Sequence, residues 1–242
     1  MGPVRPTLRP GELHVWRYDL DEAGAESIAA GILSELELSR AARLVFARDR
    51  RRFRAGRLAL RQVLSRYVGD PAASLSLAAR SGGKPYLVDH DIEFNVSHSG
   101  NTWICAIARG TPVGSDVETI RVVPDCLSVA RHHFSRVEAD ALAAVPPERR
   151  NRAFLVCWTR KEAYLKALGL GIVADLDAFV AGLEPDDATV PSIAPEVAGD
   201  VHLRTFSPDP GSLGALGFME TPSRIEYFVA PAPGAVDLAL GR

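Results

Sequence analysis

The stretch "FLVCWTRKEAYLKALGLGI", residues 154–172, predicts one long amphipathic helix, and the rest of the chain is interpreted from it. Glycines close the stretch, as is typical of a helix C-terminus. Within it, Trp158, Glu162 and Lys166 recur every four residues and therefore share one face. One interpretation is an exposed ion pair between Glu162 and Lys166, which contributes only about 0.2–0.5 kcal/mol. The other is that this face borders an active site, whose remaining residues must then be found elsewhere.

The segments around this helix predict an α+β protein. A helix rich in arginine is predicted from Ser39 to about Tyr67, and strand-like runs lie on both sides of the long helix. Short turns join three of these runs and predict an antiparallel meander: residues 92–99, 102–109 and 112–118. Helices with a small antiparallel sheet occur twice, which predicts two similar α+β halves, residues 1–118 and 119–242.

The charge distribution favours a small anionic ligand over a polymer. The 242 residues carry a net charge of −2, yet arginines concentrate between residues 39 and 66. A local basic patch in a near-neutral protein suits a compact polyanion and argues against nucleic acid as a partner. The three cysteines form no CxxC pair, and no apolar run matches a signal peptide or a membrane span. We therefore expect a cytoplasmic protein with no membrane partner.

Two carboxylates in the motif "GSDVE" are the first candidates for chemistry. Asp116 and Glu118 are two residues apart on a predicted strand, so they point to the same face. At about 4 Å their repulsion is on the order of several kcal/mol, which a proton, an arginine or a divalent ion would relieve. Oxygen ligands without nearby histidine or cysteine favour Mg²⁺ over zinc. The alternative is a strand end whose acids face water.

Polar residues in two turns could hold phosphate groups. Ser97 and His98 precede a glycine turn, where a hydroxyl, an imidazole and free backbone N–H groups can bind a phosphate. The alternative is a hairpin turn whose side chains bond the local backbone. Lys84 follows two glycines, and the default interpretation is a solvated lysine. Acids for a metal together with cations for phosphates indicate phosphoryl-type transfer.

Four motifs in a fixed order carry a family resemblance: "GGKP" (82–85), "FNVSHSG" (94–100), "GSDVE" (114–118) and "WTRKEAYLKALGLGI" (158–172). The chain resembles the Sfp-type 4'-phosphopantetheinyl transferases. The resemblance implies the fold of that family, a pseudo-twofold pair of similar halves in one chain, and a monomer. One departure is Ser115, where the family usually has an aliphatic residue.

The resemblance implies transfer of the phosphopantetheine group of coenzyme A (CoA) to a serine of an acyl or peptidyl carrier protein, with release of adenosine 3',5'-bisphosphate. Asp116, Glu118 and Glu162 would hold Mg²⁺, or Mn²⁺ as an alternative. Glu162 would also be the general base, and Lys166 would steady the diphosphate and the leaving group. The implied CoA contacts are Arg52, Lys84, Pro85, Ser97, His98, Lys161 and Lys166. Arg52 matches the 3'-phosphate contact best, with Arg40, Arg43 and Arg48 as alternatives.

The loop after the metal motif is the predicted docking surface for the carrier protein. It combines basic and apolar residues that suit a small acidic helical bundle: Arg121, Val122, Val123 and Pro124. Carriers of polyketide and nonribosomal peptide biosynthesis, or of fatty acid synthesis, are the expected partners. Two other functions stay open, a metal-dependent nuclease or phosphodiesterase and a non-catalytic CoA-binding module.

Overall fold

A computed structural model describes residues 6–22, 29, 31–80, 82–171, 175–194, 197 and 199–230. Within these ranges the α-helices are α1 (Glu35–Ala42), α2 (Ala47–Val68), α3 (Cys126–His133), α4 (Arg136–Ala144) and α5 (Pro147–Leu168). The strands of the N-terminal half are β1 (Glu12–Asp19), β2 (Leu77–Ala79), β3 (Pro85–Leu87), β4 (Ile92–Ser99) and β5 (Thr102–Arg109). The later strands are β6 (Val113–Thr119), β7 (Ala188–Pro191), β8 (Asp200–Phe206), β9 (Ser212–Phe218) and β10 (Arg224–Val229).

Two four-stranded sheets confirm the predicted α+β class. The first has the order β10-β1-β5-β4 and the second the order β6-β9-β8-β7, while β2 and β3 form a small hairpin. The predicted sheets were antiparallel, but β10 pairs with β1 in parallel. No helix among the described residues is long and apolar enough to cross a bilayer.

The sheets correct the predicted meander and the placement of its last strand. β4 and β5 pair antiparallel as predicted, but β6 leaves them and pairs with β9. The boundary at residue 118 had assigned β6 to the N-terminal half, whereas the sheets divide before Val113, and β10 returns to the first sheet. Local turn residues predicted the break after β5, but the choice of partner strand depends on residues about a hundred positions away.

Side chains of β4 join the two sheets at the free edge of β6. Three residues of β4 at alternate positions accept hydrogen bonds from backbone N–H groups of β6, which would otherwise lack partners in the protein interior. The pairs are Ser115 N to Asn95 Oδ1 at 2.8 Å, Val117 N to Ser97 Oγ at 3.4 Å and Thr119 N to Ser99 Oγ at 3.1 Å. The strand with the predicted metal ligands is thereby held against the strand with the predicted phosphate contacts.

The arginine-rich segment forms two helices instead of the single one predicted from Ser39. Ser34 caps α1 through a capping box, in which its hydroxyl accepts from the N–H of Glu37 and the Glu37 carboxylate accepts from the N–H of Ser34. Glu37 also accepts charge-assisted bonds from Arg57 and Arg61 of α2. α2 covers the first sheet with its buried leucine face and ends at Gly69, which is in the left-handed region.

Two paired glycines let α5 lie directly on β6 and β9. α5 has Pro147 at its first position and ends at Leu168; the glycines predicted to close the helix begin with its C-cap Gly169, where φ is 71°. Gly114 and Gly217 are register partners on β6 and β9. A Cβ atom on Gly114 would lie 2.0 Å from the carbonyl oxygen of Ala163. Only glycine permits this approach, which brings the charged stripe of α5 next to β6.

We expect Gly114→Ala to destabilise the protein by about 2–3 kcal/mol, because its methyl group must push the α5 backbone off the sheet. Urea unfolding measures this change. Gly31→Ala is the matched control, since its Cβ meets no atom of the described residues within 4 Å, and its unfolding midpoint should not fall. An unchanged midpoint for Gly114→Ala would show that α5 does not lie this close to β6.

Candidate active site

The stripe of α5 that carries Lys166 faces β6. Lys166 Nζ lies 2.6 Å from Asp116 Oδ1 and 3.4 Å from Ser97 Oγ. The Lys166 side chain keeps 29 % of its surface exposed, while that of Asp116 keeps 8 %. Lys166 therefore reaches from the surface to a buried carboxylate of another element, and it is not half of an exposed helix pair. The interpretation of this stripe as a solvated face is wrong for Lys166.

Asp116 is a buried carboxylate with two donors. It accepts a hydrogen bond from Ser97 Oγ at 2.8 Å as well as the one from Lys166. Burial raises the pKa of Asp116, and the positive charge of Lys166 only partly opposes this change. Asp116 therefore lies between Ser97 of β4 and Lys166 of α5 in a chain of three polar side chains, which excludes its interpretation as an acid that faces water.

Glu118 lies two residues further along β6 and is nearer the surface. Its Oε2 accepts from Ser99 Oγ at 2.9 Å and from Arg121 Nη1 at 2.7 Å. The β4 serines at alternate positions thus bond the β6 acids at alternate positions, which the period of two in both strands requires. Ser99 was not among the predicted site residues, although the polar alternation of β4 was a signal for it.

Glu162 has no hydrogen bond or ion pair to any residue that the structure describes. Burial raises its pKa, and the negative charges of Asp116 and Glu118 raise it further, against the effect of Lys166. The three predicted metal ligands therefore lie close enough to repel one another. Ionisation of Glu162 therefore costs free energy, and a nearby cation would lower that cost.

The chemistry of these three acids fits a hard divalent cation, but their arrangement is not a closed ligand set. Within the described ranges no three His, Cys, Asp or Glu side chains are gathered closely enough to hold a metal ion. Asp116 is oriented towards Lys166, and Glu118 towards Arg121. Oxygen donors whose charges repel are the donors that Mg²⁺ prefers. The metal assignment therefore stays a prediction.

His98 and Arg52 lie beside this cluster. Desolvation lowers the pKa of His98 most, and the positive charges of Lys166 and Arg52 lower it further, so these groups border one region. The Arg52 guanidinium donates to both oxygens of Asp21, at 2.9 and 2.6 Å. The influence of Arg52 on His98 is consistent with its predicted role at the 3'-phosphate. That role stays a prediction.

The turn 82–85 contacts the end of α5. A Cβ on Gly82 would lie 2.2 Å from the carbonyl oxygen of Gly169, so the turn and the helix C-terminus touch through their backbones. Lys84 is 8 % exposed, and its Nζ donates to the Val113 carbonyl oxygen at 2.8 Å. Burial lowers the pKa of Lys84 to about 8. The default interpretation of a solvated lysine is wrong, while the predicted CoA contact of Lys84 and Pro85 is untested.

The position of Lys161 corrects the prediction that it contacts CoA. Its side chain is fully buried, on a different side of α5 from Lys166. Its Nζ donates to Glu138 Oε2 at 2.8 Å, to Leu176 O at 2.7 Å and to Phe179 O at 2.6 Å. An ammonium has three donors, and all three are used. Adjacent residues of a helix point about 100° apart, which separates Lys161 from the stripe of Glu162.

Ser115 has a structural role that the sequence did not reveal. Its hydroxyl donates to the Asn95 carbonyl oxygen at 3.1 Å, in addition to the N–H bond to the Asn95 side chain. Serine in place of the usual aliphatic residue therefore adds a hydrogen bond between β4 and β6 and leaves Asp116 in place.

In the predicted docking loop, Val122 is 73 % exposed, whereas the Val123 N–H donates to Asn151 Oδ1.

Two family models match this chain. Residues 112–209 match the model described as the 4'-phosphopantetheinyl transferase superfamily, and residues 23–109 match the model of the N-terminal part of 4'-phosphopantetheinyl transferases. The division between the two matches coincides with the passage of the chain from β5 to β6.

Curated relatives span most of the chain. The 4'-phosphopantetheinyl transferase HetI of a Nostoc species is 39 % identical over 199 residues, which are 80 % of this chain and 83 % of the relative. The enzyme psf-1 of Bacillus pumilus is 32 % identical over 70 % of this chain and 72 % of its own length. Sfp of Bacillus subtilis is 31 % identical over 67 % of this chain and 71 % of its own length.

Proposed function

The chain belongs to the 4'-phosphopantetheinyl transferase superfamily, and on this basis we propose the donor, acceptor and metal of its reaction. It is an enzyme of that class, which transfers phosphopantetheine to carrier proteins. The proposed donor is CoA, the acceptor is a serine hydroxyl of an acyl or peptidyl carrier protein, and the second product is adenosine 3',5'-bisphosphate. The proposed metal is Mg²⁺.

The observation that carries this proposal is the convergence of Asp116, Glu162 and Lys166. The long helix brings a lysine, and a carboxylate that has no partner among the described residues, to a buried carboxylate of β6. Asp116, Glu118 and Glu162 are the residues that would hold Mg²⁺. When bound, the ion would neutralise the CoA diphosphate, whose two negative charges must be stabilised as the phosphorus–oxygen bond breaks.

Each residue around the acids has a proposed role in binding or proton transfer. Glu162 accepts the proton of the carrier serine, because its carboxylate is not engaged by another described residue. Lys166 binds the diphosphate through a charge-assisted hydrogen bond once the anion competes with Asp116 for its ammonium. Ser97 and His98 donate to the phosphates, and Arg52 binds the 3'-phosphate. Lys84 and Pro85 border the adenine.

The acids of β6 and α5 and the serines of β4 come from a single chain, so we propose that the protein acts as a monomer. Asp116 and Glu118 accept hydrogen bonds from the β4 serines of the same chain, and no second copy is needed to complete the cluster. All three cysteines are buried and unpaired, which suits the reducing cytoplasm.

Intact mass of apo carrier proteins after incubation with CoA and Mg²⁺ tests the proposal. We expect one phosphopantetheine group on one serine, together with free adenosine 3',5'-bisphosphate. Chelation of the metal with EDTA should abolish the mass increase, and added Mg²⁺ should restore it. Carriers of fatty acid, polyketide and nonribosomal peptide synthesis in parallel define the partner. CoA binding without transfer to any carrier would indicate a binding module, and cleavage of nucleic acid would indicate a nuclease.

We expect Arg121→Glu to raise the carrier KM about tenfold and to leave the CoA KM unchanged. Arg121 is 54 % exposed on the loop next to the acids, where a basic group would meet an acidic carrier helix. Steady-state kinetics with each substrate varied in turn measures the two constants. Arg131→Glu, an exposed change on α3, is the control. A carrier KM equal to that of the parent would exclude this loop as the docking surface.

A further inference from the structure

A second cleft lies in the C-terminal half, away from the acids. It has a volume of about 480 Å³ and is bounded by the end of α4, the first turns of α5 and the segment 183–185. Clefts of roughly 300–1,000 Å³ are the usual size for small-molecule sites. Arg152 at its edge precedes Glu162 by ten residues, which places the two about 15 Å apart along α5. No residue of the proposed active site lines this cleft.

Hydrogen bonds from side chains to the backbone hold the walls of this cleft in place. On one side, Arg150 donates to the carbonyl oxygens of Val145, at 2.8 Å, and Ala143. On the other side, the buried Arg160 donates to the carbonyl oxygens of Glu184 and Asp186. The Glu138 carboxylate accepts from the N–H groups of residues 181 and 182. The cleft is therefore preformed, and a ligand would not have to order its walls on binding.

The cleft combines an apolar floor with two unpaired guanidinium groups. Val145, Val156 and Leu183 contribute aliphatic surface. Arg149 and Arg152 are exposed and lie three residues apart on one face of α5, and their guanidinium groups have no hydrogen bond or ion pair with any described residue. They flank the N-terminal end of α5, whose N-cap residue offers no side-chain cap, so the helix adds positive potential there.

Among the residues that the structure describes, one acidic group, Glu184, belongs to the lining of the cleft. Two arginines against one carboxylate leave an excess of one positive charge, which matches a ligand with a single negative charge. A neutral apolar ligand would leave both guanidinium groups without a partner, and a dianion would be opposed by Glu184.

We propose that this cleft binds a small amphipathic monoanion, with its apolar body on the aliphatic floor and its anionic head between Arg149 and Arg152. Planar guanidinium groups bind such heads through paired, charge-assisted hydrogen bonds. The proposal is independent of the proposed CoA site, because the two sites share no residue.

Two fluorescent probes that differ only in charge test the proposal. 8-Anilinonaphthalene-1-sulfonate has an aromatic body and one sulfonate, and N-phenyl-1-naphthylamine is the same body without the sulfonate. Titrations contain saturating CoA and Mg²⁺, so that basic groups of the proposed active site are occupied. We expect saturable binding of one sulfonate probe per chain, at least about tenfold tighter than that of the neutral probe.

Three variants locate the binding. Arg149→Gln combined with Arg152→Gln should weaken the sulfonate probe at least tenfold and leave the neutral probe within twofold. Ala144→Trp, an exposed change at the mouth, should weaken both probes. Arg131→Gln, which removes an exposed arginine outside the cleft, should change neither. Circular dichroism confirms that each variant is folded.

The opposite results would overturn the proposal. Absence of saturable binding would exclude the site, and equal affinity of the two probes would indicate a neutral ligand. An unchanged sulfonate affinity in both the arginine and Ala144 variants would place the probe elsewhere. A sulfonate probe that binds only when CoA is omitted would lie in the active site. None of these results depends on transfer activity, so failure of this proposal and failure of the proposed reaction are separable.

Discussion

Glu162→Gln should reduce kcat/KM for carrier modification by at least about 10³-fold while the protein stays folded. The amide keeps the shape of the side chain but removes both the proton acceptor and one negative oxygen ligand for the proposed metal. Each loss alone has an effect on the order of 10²-fold or more. Rates of carrier modification, followed by intact mass at fixed CoA and Mg²⁺, measure the change.

The fold should tolerate this substitution for a reason that the structure supplies. Glu162 forms no hydrogen bond or ion pair with a described residue, and burial and two neighbouring carboxylates raise its pKa. A neutral amide removes that repulsion, so the thermal midpoint should be unchanged or higher. Glu148→Gln, in the exposed first turn of the same helix, is the control and should keep the parent rate. A Glu162→Gln enzyme with the parent rate would refute the assignment.

Lys161→Met should destabilise the protein by about 3–5 kcal/mol, because it leaves the buried Glu138 carboxylate without its cation. Both side chains are at most 1 % exposed, and Lys161 Nζ lies 2.8 Å from Glu138 Oε2. Since domains are stable by only about 5–15 kcal/mol, this loss is a large fraction of the total. Urea unfolding at low temperature measures it.

Two comparisons give this prediction its control. Lys161→Met with Glu138→Gln removes both charges and should recover at least half of the lost stability. Arg136→Gln removes the exposed partner of Asp140, where the side chains are 95 % and 77 % exposed, and should have no measurable effect. Folded Lys161→Met should also bind CoA as tightly as the parent. Weaker CoA binding with unchanged stability would restore the ligand role that the structure removes.

The long helix shows which of its properties the helical periodicity of the sequence could predict. Apolar spacing and the glycines at its end predicted α5 as one long helix, although the helix begins at Pro147, seven residues before the quoted stretch. The same spacing predicted that Glu162 and Lys166 share a face. The structure confirms this, because the two residues lie four positions apart in one helix and the charge of Lys166 acts on Glu162. It could not separate Lys161 from Lys166 in function. Both are lysines of one helix, and only the packing of Glu138 against one side decides which of them is buried.

The strands show the complementary limit. A period of two correctly placed Asp116 and Glu118 on one face of β6 and predicted the hairpin of β4 and β5. It did not predict that β6 leaves these strands for β9, since strand partners far apart in the chain have no local signal. The roles of Asn95, Ser115 and Gly114 depend on that pairing, and for this reason the sequence did not reveal them.

The sequence by itself determined the long helix, most of the strands, the four motifs and the family, because periodicity, turn residues and motif order are properties of neighbouring residues. The tertiary structure alone decided which sheet receives β6, that Asp116 meets Lys166, and that Lys161 is sealed in the core. These outcomes depend on the contact of α5 with Gly114 and Gly217, where two backbones approach as closely as their atoms allow. Such a contact joins residues fifty positions apart, and no local pattern specifies it.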